Sequence, residues 1–399
     1  MRAGAQLAAP EVLISSRTIE LEAGAGISTL ARGAPSVDST NGYAFEPGST
    51  GLLAVSNGRL DVLAPDALGA GAIRIGTCAA QSCEGVTRLY SEGTIAAATN
   101  GTFDLGEQVS YGTRNLTLAV GAINAGTAEA LAQAAARGVL PNGLTLNQGI
   151  LGRLLRGDAS TGAPALERLT LTARESMNFY GTVALDTRDP LTGKYSLATL
   201  SLGTPAIYGY GAAGDEASIR TQNLVWNGAT QAPGAVAAGG AGTGHGVLRI
   251  EAERIEFGYG QGAQPSGLDD NGRLALGFAS VNLNASERIT ANHRGSLAVY
   301  ESQGGYVSGS GYTYLGGNLN LNTPLLTGLA GSVNKVTAGG DVRVAAVPGA
   351  QPAAVQELGA ELSLAGANVR VDGAIVLPSG KLTLQGRDSV VLSLSLIHI

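Results

Sequence analysis

The stretch AELSLAGANVRVDGAIVLPSGKLTLQGRDSVVL, residues 360–392, alternates apolar and polar residues in short runs that are separated by glycines. Successive side chains of a strand point to opposite faces, so Leu362 and Leu364 share one face, and so do Val369 and Val371. Glycine tolerates a positive φ angle, which lets the chain turn sharply between runs. The pattern therefore predicts short strands with one buried and one hydrated face, joined by sharp corners.

Similar runs recur in the C-terminal half of the chain at intervals of about 20 to 23 residues, which is the sequence signature of a stacked repeat. The matching apolar positions are Leu297, Leu319, Val342, Leu362 and Leu382. One repeat of this length cannot bury its own apolar face, so it needs a neighbour above and below. Because the fixed leucine frame of a leucine-rich repeat is absent, this pattern predicts the coils of a parallel β-helix.

The composition agrees with narrow stacked coils. The chain has 60 Gly among 399 residues and only 5% aromatic residues, so the predicted core consists of Ala, Val, Leu and Ile. The net charge of −6 and the pI of about 5.2 argue against a nucleic-acid partner. The sequence contains no apolar run of about 18 residues, so it predicts no transmembrane segment. The opening MRAGAQLAAPEVLISS lacks the compact apolar segment of a signal peptide.

Changes in pattern divide the chain into predicted segments. Residues 1–125 are predicted to form irregular coils with projecting Gly-rich loops, and residues 166–393 to form regular coils. Residues 126–165 are predicted to be a helical excursion from the stack. Thr127–Gly138 begins with a capping Thr and ends at Gly, and Asn147–Gly157 is a second, weaker helical pattern.

The end of the chain, LSLIHI (Leu394–Ile399), interrupts the alternation where a turn is due. It is similar to the translation of a transposon-based sequencing adapter. We therefore interpret residues 394–399 as an assembly artefact, and we assign His398 no function. The alternative is a genuine apolar end of a strand.

The cysteines of the chain are Cys78 and Cys83, in TCAAQSCEG. Their spacing is compatible with a disulfide that closes a small loop in an exported protein, and also with two unpaired thiols in a surface loop. A metal site would need further ligands nearby, and the sequence has none there. We predict no metal and no cofactor.

Several short motifs resemble known sites without their required context. GYGAAG (Gly209–Gly214) matches the dinucleotide fingerprint, but the alternating residues after it predict a strand where that motif needs a helix. Asp269 and Asp270 lack the other ligands of a calcium loop and are interpreted as turn formers. His245 and His293 each stand without a Cys or His at ligand spacing. We predict no catalytic residue.

An enzymatic alternative stays open, because polysaccharide lyases and glycosidases also use parallel β-helices with carboxylates beside sugar-stacking aromatics. Asp341 and Glu361 face outward on neighbouring predicted coils and could stack there, but we interpret them as residues that solvate the outer face. VSGSGYTY (Val307–Tyr314) is interpreted as a flexible loop. The aromatic residues that could contact a glycan are the sole Trp, Trp226, and a cluster of Tyr300, Tyr306, Tyr312 and Tyr314.

The strands GVLRIEAERIEFG, ASVNLNASERITA and GGDVRVAA resemble the repeats of filamentous haemagglutinin-like exoproteins, and the block Leu140–Asp186 resembles the large exoprotein branch of that family. The resemblance implies a right-handed parallel β-helix that is secreted through the outer-membrane pore of a two-partner system. It also implies adhesion at the bacterial surface to host-cell or biofilm glycans or proteins. The family's secretion domain is not recognisable, so we expect an interior fragment of a longer chain.

We therefore predict an all-β protein that acts as a non-enzymatic adhesin or structural rod through many weak loop contacts. The alternatives are a β-helical polysaccharide lyase or glycosidase, and an autotransporter passenger with the same fold and another export route. An uncapped end coil presents unpaired backbone groups. We expect such an end to fray or to aggregate.

Overall fold

The computed structural model describes residues 1–34, 51–60, 62, 71–78, 84–158, 162–260, 264, 269–309, 311–393 and 397–399. Two compact units make up the chain. Unit 1 comprises Met1–Leu131, Pro141–Arg174 and Leu185–Ser201, and unit 2 comprises Ala132–Leu140, Glu175–Ala184 and Leu202–Ile399. Strands dominate the described residues, which confirms the all-β prediction.

The first elements are the strands β1 (Gln6–Ala8), β2 (Glu11–Ser15), β3 (Thr18–Leu21), β4 (Gly26–Ser28), β5 (Leu52–Ser56), β6 (Ala72–Ile75), β7 (Thr87–Tyr90), β8 (Thr94–Thr99), β9 (Thr102–Leu105), β10 (Val109–Gly112) and β11 (Asn115–Gly126). Next come α1 (Ala128–Ala136), β12 (Leu144–Asn147), α2 (Gln148–Leu154), β13 (Arg168–Tyr180), β14 (Val183–Asp186) and β15 (Thr199–Gly203).

The remaining strands are β16 (Ala206–Tyr210), β17 (Glu216–Arg220), β18 (Asn223–Trp226), β19 (Gly246–Phe257), β20 (Asn271–Leu276), β21 (Phe278–Ala291), β22 (Arg294–Tyr300), β23 (Ser302–Val307), β24 (Gly311–Leu315), β25 (Asn318–Asn322), β26 (Leu326–Gly328), β27 (Val333–Ala338), β28 (Val342–Ala345), β29 (Glu361–Val371), β30 (Ile375–Val376), β31 (Lys381–Leu392) and β32 (Ile397–His398).

Three parallel ladders organise unit 2. The first joins β16, β20, β22, β27, and the N-terminal parts of β29 and β31. The second joins β17, β19, β21, β25, β28, and the C-terminal parts of β29 and β31. The third joins β18, β19, β21, β26, β30 and β32. Successive strands of the chain therefore belong to different ladders.

Aliphatic side chains stack in register along the second ladder. Each pairs directly with the next, and all but the last are at most 1% exposed. Burial of such side chains contributes about 1.5–3 kcal/mol each. The stacked residues are Ile219, Ile250, Leu283, Leu321, Val344, Val371 and Leu392.

The ladders confirm part of the predicted register. Leu362 pairs with Leu382, and Leu319 pairs with Val342, as the periodicity predicts. The other two predicted pairings are wrong, because Val342 pairs with Val369 and Leu297 pairs with Val336. Strands of the first and second ladders show the same apolar–polar alternation. The spacing of apolar residues in the sequence therefore does not show which of the two ladders a strand belongs to.

Unit 1 contains both parallel and antiparallel pairs. β3, β6 and β9 form a parallel ladder, whereas β2 and β8 both run antiparallel to β5. Every residue of β5 and β8 is buried. Ala96 and Ala98 pack there against Leu52 and Leu60, so small side chains form much of this core.

The predicted helical excursion contains two helices, α1 and α2, with a strand between them. The Ala130 N–H donates to the Thr127 Oγ1 at 3.1 Å, and the Ile150 N–H donates to the Asn147 Oδ1 at 2.9 Å, so the predicted N-terminal residues cap both helices. The prediction missed β12, which pairs in parallel with β11. No helix among the described residues is long and apolar enough to cross a membrane.

Candidate functional site

An antiparallel hairpin of β23 and β24 is the most exposed aromatic feature of unit 2. It forms a two-stranded sheet apart from the three ladders. Ser302 pairs with Leu315, and Tyr306 pairs with Tyr312. The sequence prediction of a flexible loop over Val307–Tyr314 is therefore wrong for Gly311–Tyr314, which belong to β24, and Ser310 lies outside the described residues. Alternating Tyr residues at 312 and 314 favour a strand, and the glycines around them obscured that pattern.

Two pairs of tyrosine rings line this hairpin. Tyr306 and Tyr312 meet edge to face, with centroids 5.3 Å apart, and are 66% and 50% exposed. Tyr300, at the base, stacks on Tyr314 with centroids 4.6 Å apart and planes inclined by 18°. Both arrangements are favourable for aromatic quadrupoles. The structure thus brings together all four tyrosines of the predicted cluster.

The base of the hairpin is fixed to unit 2 by polar contacts. The Glu301 N–H donates to the Leu315 carbonyl at 3.1 Å. The Glu301 carboxylate lies 2.9 Å from the His245 Nδ1. Gly317 follows with a φ of 83°, and a Cβ there would lie 2.7 Å from the Tyr300 carbonyl carbon. These contacts and the required glycine attach the base of the hairpin to the end of β22.

Burial increases from the tip of the hairpin to its base. Burial raises the pKa of the Tyr300 hydroxyl, and the neighbouring Tyr314 adds to this effect. Tyr208 is 3% exposed and donates from its hydroxyl to the Gly234 carbonyl at 2.8 Å. Its pKa is raised by burial, then by Tyr314 and Glu175. Tyr208 is therefore buried and Tyr300 half-buried, whereas Tyr306 and Tyr312 at the tip are exposed to solvent.

A second aromatic contact in unit 2 involves a cation. The Arg137 guanidinium lies 4.9 Å from the ring centroid of Tyr210 and donates to its hydroxyl at 2.7 Å. Tyr180 lies 6.1 Å from the same ring. Burial raises the pKa of Tyr180 to about 12. Sequence reasoning missed this group, because its members lie on three segments far apart in the chain.

Trp226 is a core residue and does not belong to the candidate site. It is fully buried, and its indole N–H donates to the Thr204 carbonyl at 2.9 Å. The motif Gly209–Gly214 spans the end of β16 and a turn, and β17 follows where a nucleotide site would need a helix. The Gly242 N–H donates to the Gly209 carbonyl at 2.8 Å. The glycines of this motif thus allow close backbone packing.

Asp270 and the two histidine candidates have structural partners. Asp270 lies 3.4 Å from Arg294. His293 has a φ of 57° and packs edge to face on Tyr259. In the parts of the chain that the structure describes, no group of three or more His, Cys, Asp or Glu could hold a metal ion.

The two carboxylates that motivated the enzymatic alternative do not stack on each other. The Asp341 carboxylate accepts from the Asn368 side chain at 2.8 Å. Glu361 lies in the first ladder opposite Lys381, with its carboxylate 3.7 Å from the Lys381 Nζ. They belong to different ladders. The separation between them in the sequence, which matches the repeat length, therefore does not bring them together.

The two alternatives for Cys78 and Cys83, a disulfide or two unpaired thiols, both stay open, since Cys83 lies outside the described residues. The artefact interpretation of residues 394–399 also stays a prediction. Ile397 and His398 form β32 beside β30, and residues 394–396 lie outside the described part of the chain.

Two cavities offer little room for a ligand. A cavity of about 40 Å³ in unit 1 lies between Phe103, Tyr111 and Leu154. This volume is close to that of one water molecule. A polar groove of about 170 Å³ in unit 2 is lined by Lys335, Glu361 and other residues of the first ladder. Its Glu361–Lys381 ion pair is exposed, so the aromatic hairpin remains the stronger candidate site.

Comparisons with protein-family models, with curated proteins and with solved structures found no match to this chain.

Proposed function

We propose that this chain is part of a secreted, non-enzymatic bacterial surface adhesin whose aromatic hairpin contacts glycans. The observation that carries the proposal is the exposed Tyr306–Tyr312 pair on a hairpin with a fixed base. Aromatic faces are suited to stack against the apolar faces of sugar rings, and their two side-chain torsions lose little entropy on binding. A single hairpin binds weakly, so attachment depends on many copies.

The proposed scaffold is a right-handed parallel β-helix of the filamentous haemagglutinin type. Its support is the set of three parallel ladders in unit 2, in which consecutive strands pass from ladder to ladder. A closed barrel of parallel strands is the competing architecture, and its crossovers are usually helices. An experimental structure at side-chain resolution tests this, since strands that follow a left-handed path or close into one ring would contradict the proposal.

Export through a two-partner outer-membrane pore belongs to the same proposal and rests on the sequence resemblance alone. An autotransporter passenger would use the same scaffold. Expression with and without a two-partner pore protein distinguishes the routes, because only the proposed route requires that pore for the chain to reach the medium.

Binding of the purified chain to a panel of immobilised glycans tests the site. We expect the double variant Tyr306→Ala/Tyr312→Ala to lose about tenfold or more in affinity, since each ring contributes about 1 kcal/mol. Leu315→Ala is the matched control, because Leu315 is 67% exposed on the same hairpin but has no ring. Equal binding by the double variant and the parent chain would refute the assignment of this site.

A further inference from the structure

Asn–Gly pairs are positions at which a protein chain modifies itself without an enzyme. The main-chain nitrogen of the glycine attacks the Cγ of the asparagine side chain, and the missing Cβ leaves that nitrogen open to approach. A C–N bond forms and the Cγ–Nδ2 bond breaks, so ammonia leaves and a five-membered succinimide remains. Water then opens the ring at either carbonyl and gives aspartate or isoaspartate.

The described part of the chain contains five Asn–Gly pairs, and their side chains differ in exposure. The asparagines are Asn57, Asn100, Asn142, Asn227 and Asn271. Asn142 is exposed, whereas the other four are half-buried or buried. A further pair, at residues 41–42, lies outside the described residues.

The fold restrains the four asparagines that are not exposed. The Asn57 amide takes part in four hydrogen bonds of 2.6–3.1 Å. The Asn271 Oδ1 accepts from the Tyr259 hydroxyl at 2.9 Å, and Asn271 is 1% exposed. The Oδ1 atoms of Asn100 and Asn227 are buried. Each side chain must leave these surroundings before its Cγ can meet the following nitrogen.

Asn142 lacks these restraints. It lies at a bend between α1 and β12, and within the described part of the chain its side chain makes no hydrogen bond. In the same part of the chain, the Gly143 N–H donates to no backbone carbonyl. Both reacting groups of this pair are therefore available, the side-chain amide and the main-chain nitrogen.

The backbone on both sides of Asn142 is fixed to β11. The Pro141 carbonyl accepts from the buried Asn124 Nδ2 at 2.9 Å. A Cβ at Gly143 would lie 1.9 Å from the Ala122 carbonyl oxygen, so the main chain there packs directly on β11. Isoaspartate carries the main chain through its β-carbon and lengthens it by one carbon atom. The extra atom has no room between these fixed points, so it strains the pairing of β12 with β11.

We propose that Asn142 is a self-modification site of this chain, at which deamidation to isoaspartate releases β12 from β11. The conversion adds a negative charge and is irreversible once ammonia has left. The fraction of converted chains therefore increases with the age of the protein. This site is independent of the aromatic hairpin and of any glycan.

Peptide mass spectrometry of the folded chain in mildly alkaline buffer measures conversion at each pair. We expect Asn142 to convert about tenfold or more faster than the other described pairs, because the hydrogen bonds and burial that hold those side chains raise their barriers. In guanidinium chloride, which removes the fold, all pairs should convert at similar rates. An unconverted Asn142 in the folded chain, or an equal rate at another described pair, would overturn the proposal.

Asn142→Gln is the matched variant for this measurement. It keeps a side-chain amide but requires a less favourable six-membered ring, so conversion at this position should stop while the other pairs stay unchanged. Conversion of this peptide at the parent rate would show that the mass change does not arise at residue 142.

Amide hydrogen exchange tests the structural consequence, after electron-transfer fragmentation has identified isoaspartate in the aged chain. We expect β12 (Leu144–Asn147) to lose protection in the aged chain, because its register with β11 is broken. Asn142→Asp is the matched control, since it has the same charge with an ordinary main chain, and it should retain the protection. Full protection of β12 beside isoaspartate, or an equal loss in Asn142→Asp, would overturn the proposed release.

Discussion

At the residue scale, Arg273 is an unusual component of the core. It is 2% exposed, and it donates to the backbone carbonyls of Trp226 at 2.6 Å and Asn227 at 2.8 Å. Burial lowers the pKa of its guanidinium to about 10. Backbone carbonyls therefore accept its hydrogen bonds, and they stabilise the charge where β18 ends.

We expect Arg273→Met to destabilise the chain by about 1–3 kcal/mol, because the Asn227 carbonyl loses its guanidinium donor and the Trp226 carbonyl keeps only the Gly258 N–H. Arg273→Lys should cost less, since the ammonium retains the charge and some donors but lacks the planar geometry of the guanidinium. Urea denaturation of the three proteins measures both differences. An unchanged midpoint for Arg273→Met would show that these hydrogen bonds do not stabilise the fold.

Asp372 makes the folding stability of the chain depend on pH in the acidic range. Its carboxylate accepts from Arg370 at 2.7 Å and from the Ser393 hydroxyl, and these bonds hold its pKa at about 2. The ordinary Asp pKa is about 3.9. The stabilisation is therefore complete above pH ~4 and is lost as the pH falls through about 2. We expect Asp372→Asn to flatten the loss of stability over this interval, as measured by denaturation at each pH.

At the element scale, close packing between corners limits side-chain size. A Cβ at Gly339, which follows β27, would lie 2.1 Å from the Gly316 carbonyl oxygen. We expect Gly339→Ala to cost about 1–3 kcal/mol, because one strand end must shift away from its neighbour. Gly305→Ala, where nothing lies within 4 Å, is the control and should stay within about 0.5 kcal/mol. Equal stability of both variants in thermal denaturation would contradict this account.

The alternation of single strands could be predicted from the sequence because it depends only on local geometry. Leu362, Leu364, Val369 and Val371 are all buried as expected. Ladder membership could not be predicted, since strands of all ladders show the same alternation and loops change the spacing between them.

The tyrosine cluster was recognisable because its members are close in sequence. The Arg137–Tyr210 contact was not, because only the fold brings these residues together.

At the scale of the whole molecule, stacked strands imply a gradient of protection in unit 2. β21 and β25 lie inside their ladders, with strands on both sides, whereas β31 has one partner in the described part of the chain. Inner strands open only when neighbouring pairs are lost, while an edge strand opens by local fraying.

Amide hydrogen exchange should therefore be slowest in β21 and β25 and faster in β31, as measured by mass spectrometry of the purified chain. Exchange in β31 that is as slow as in β21 would contradict fraying at this edge.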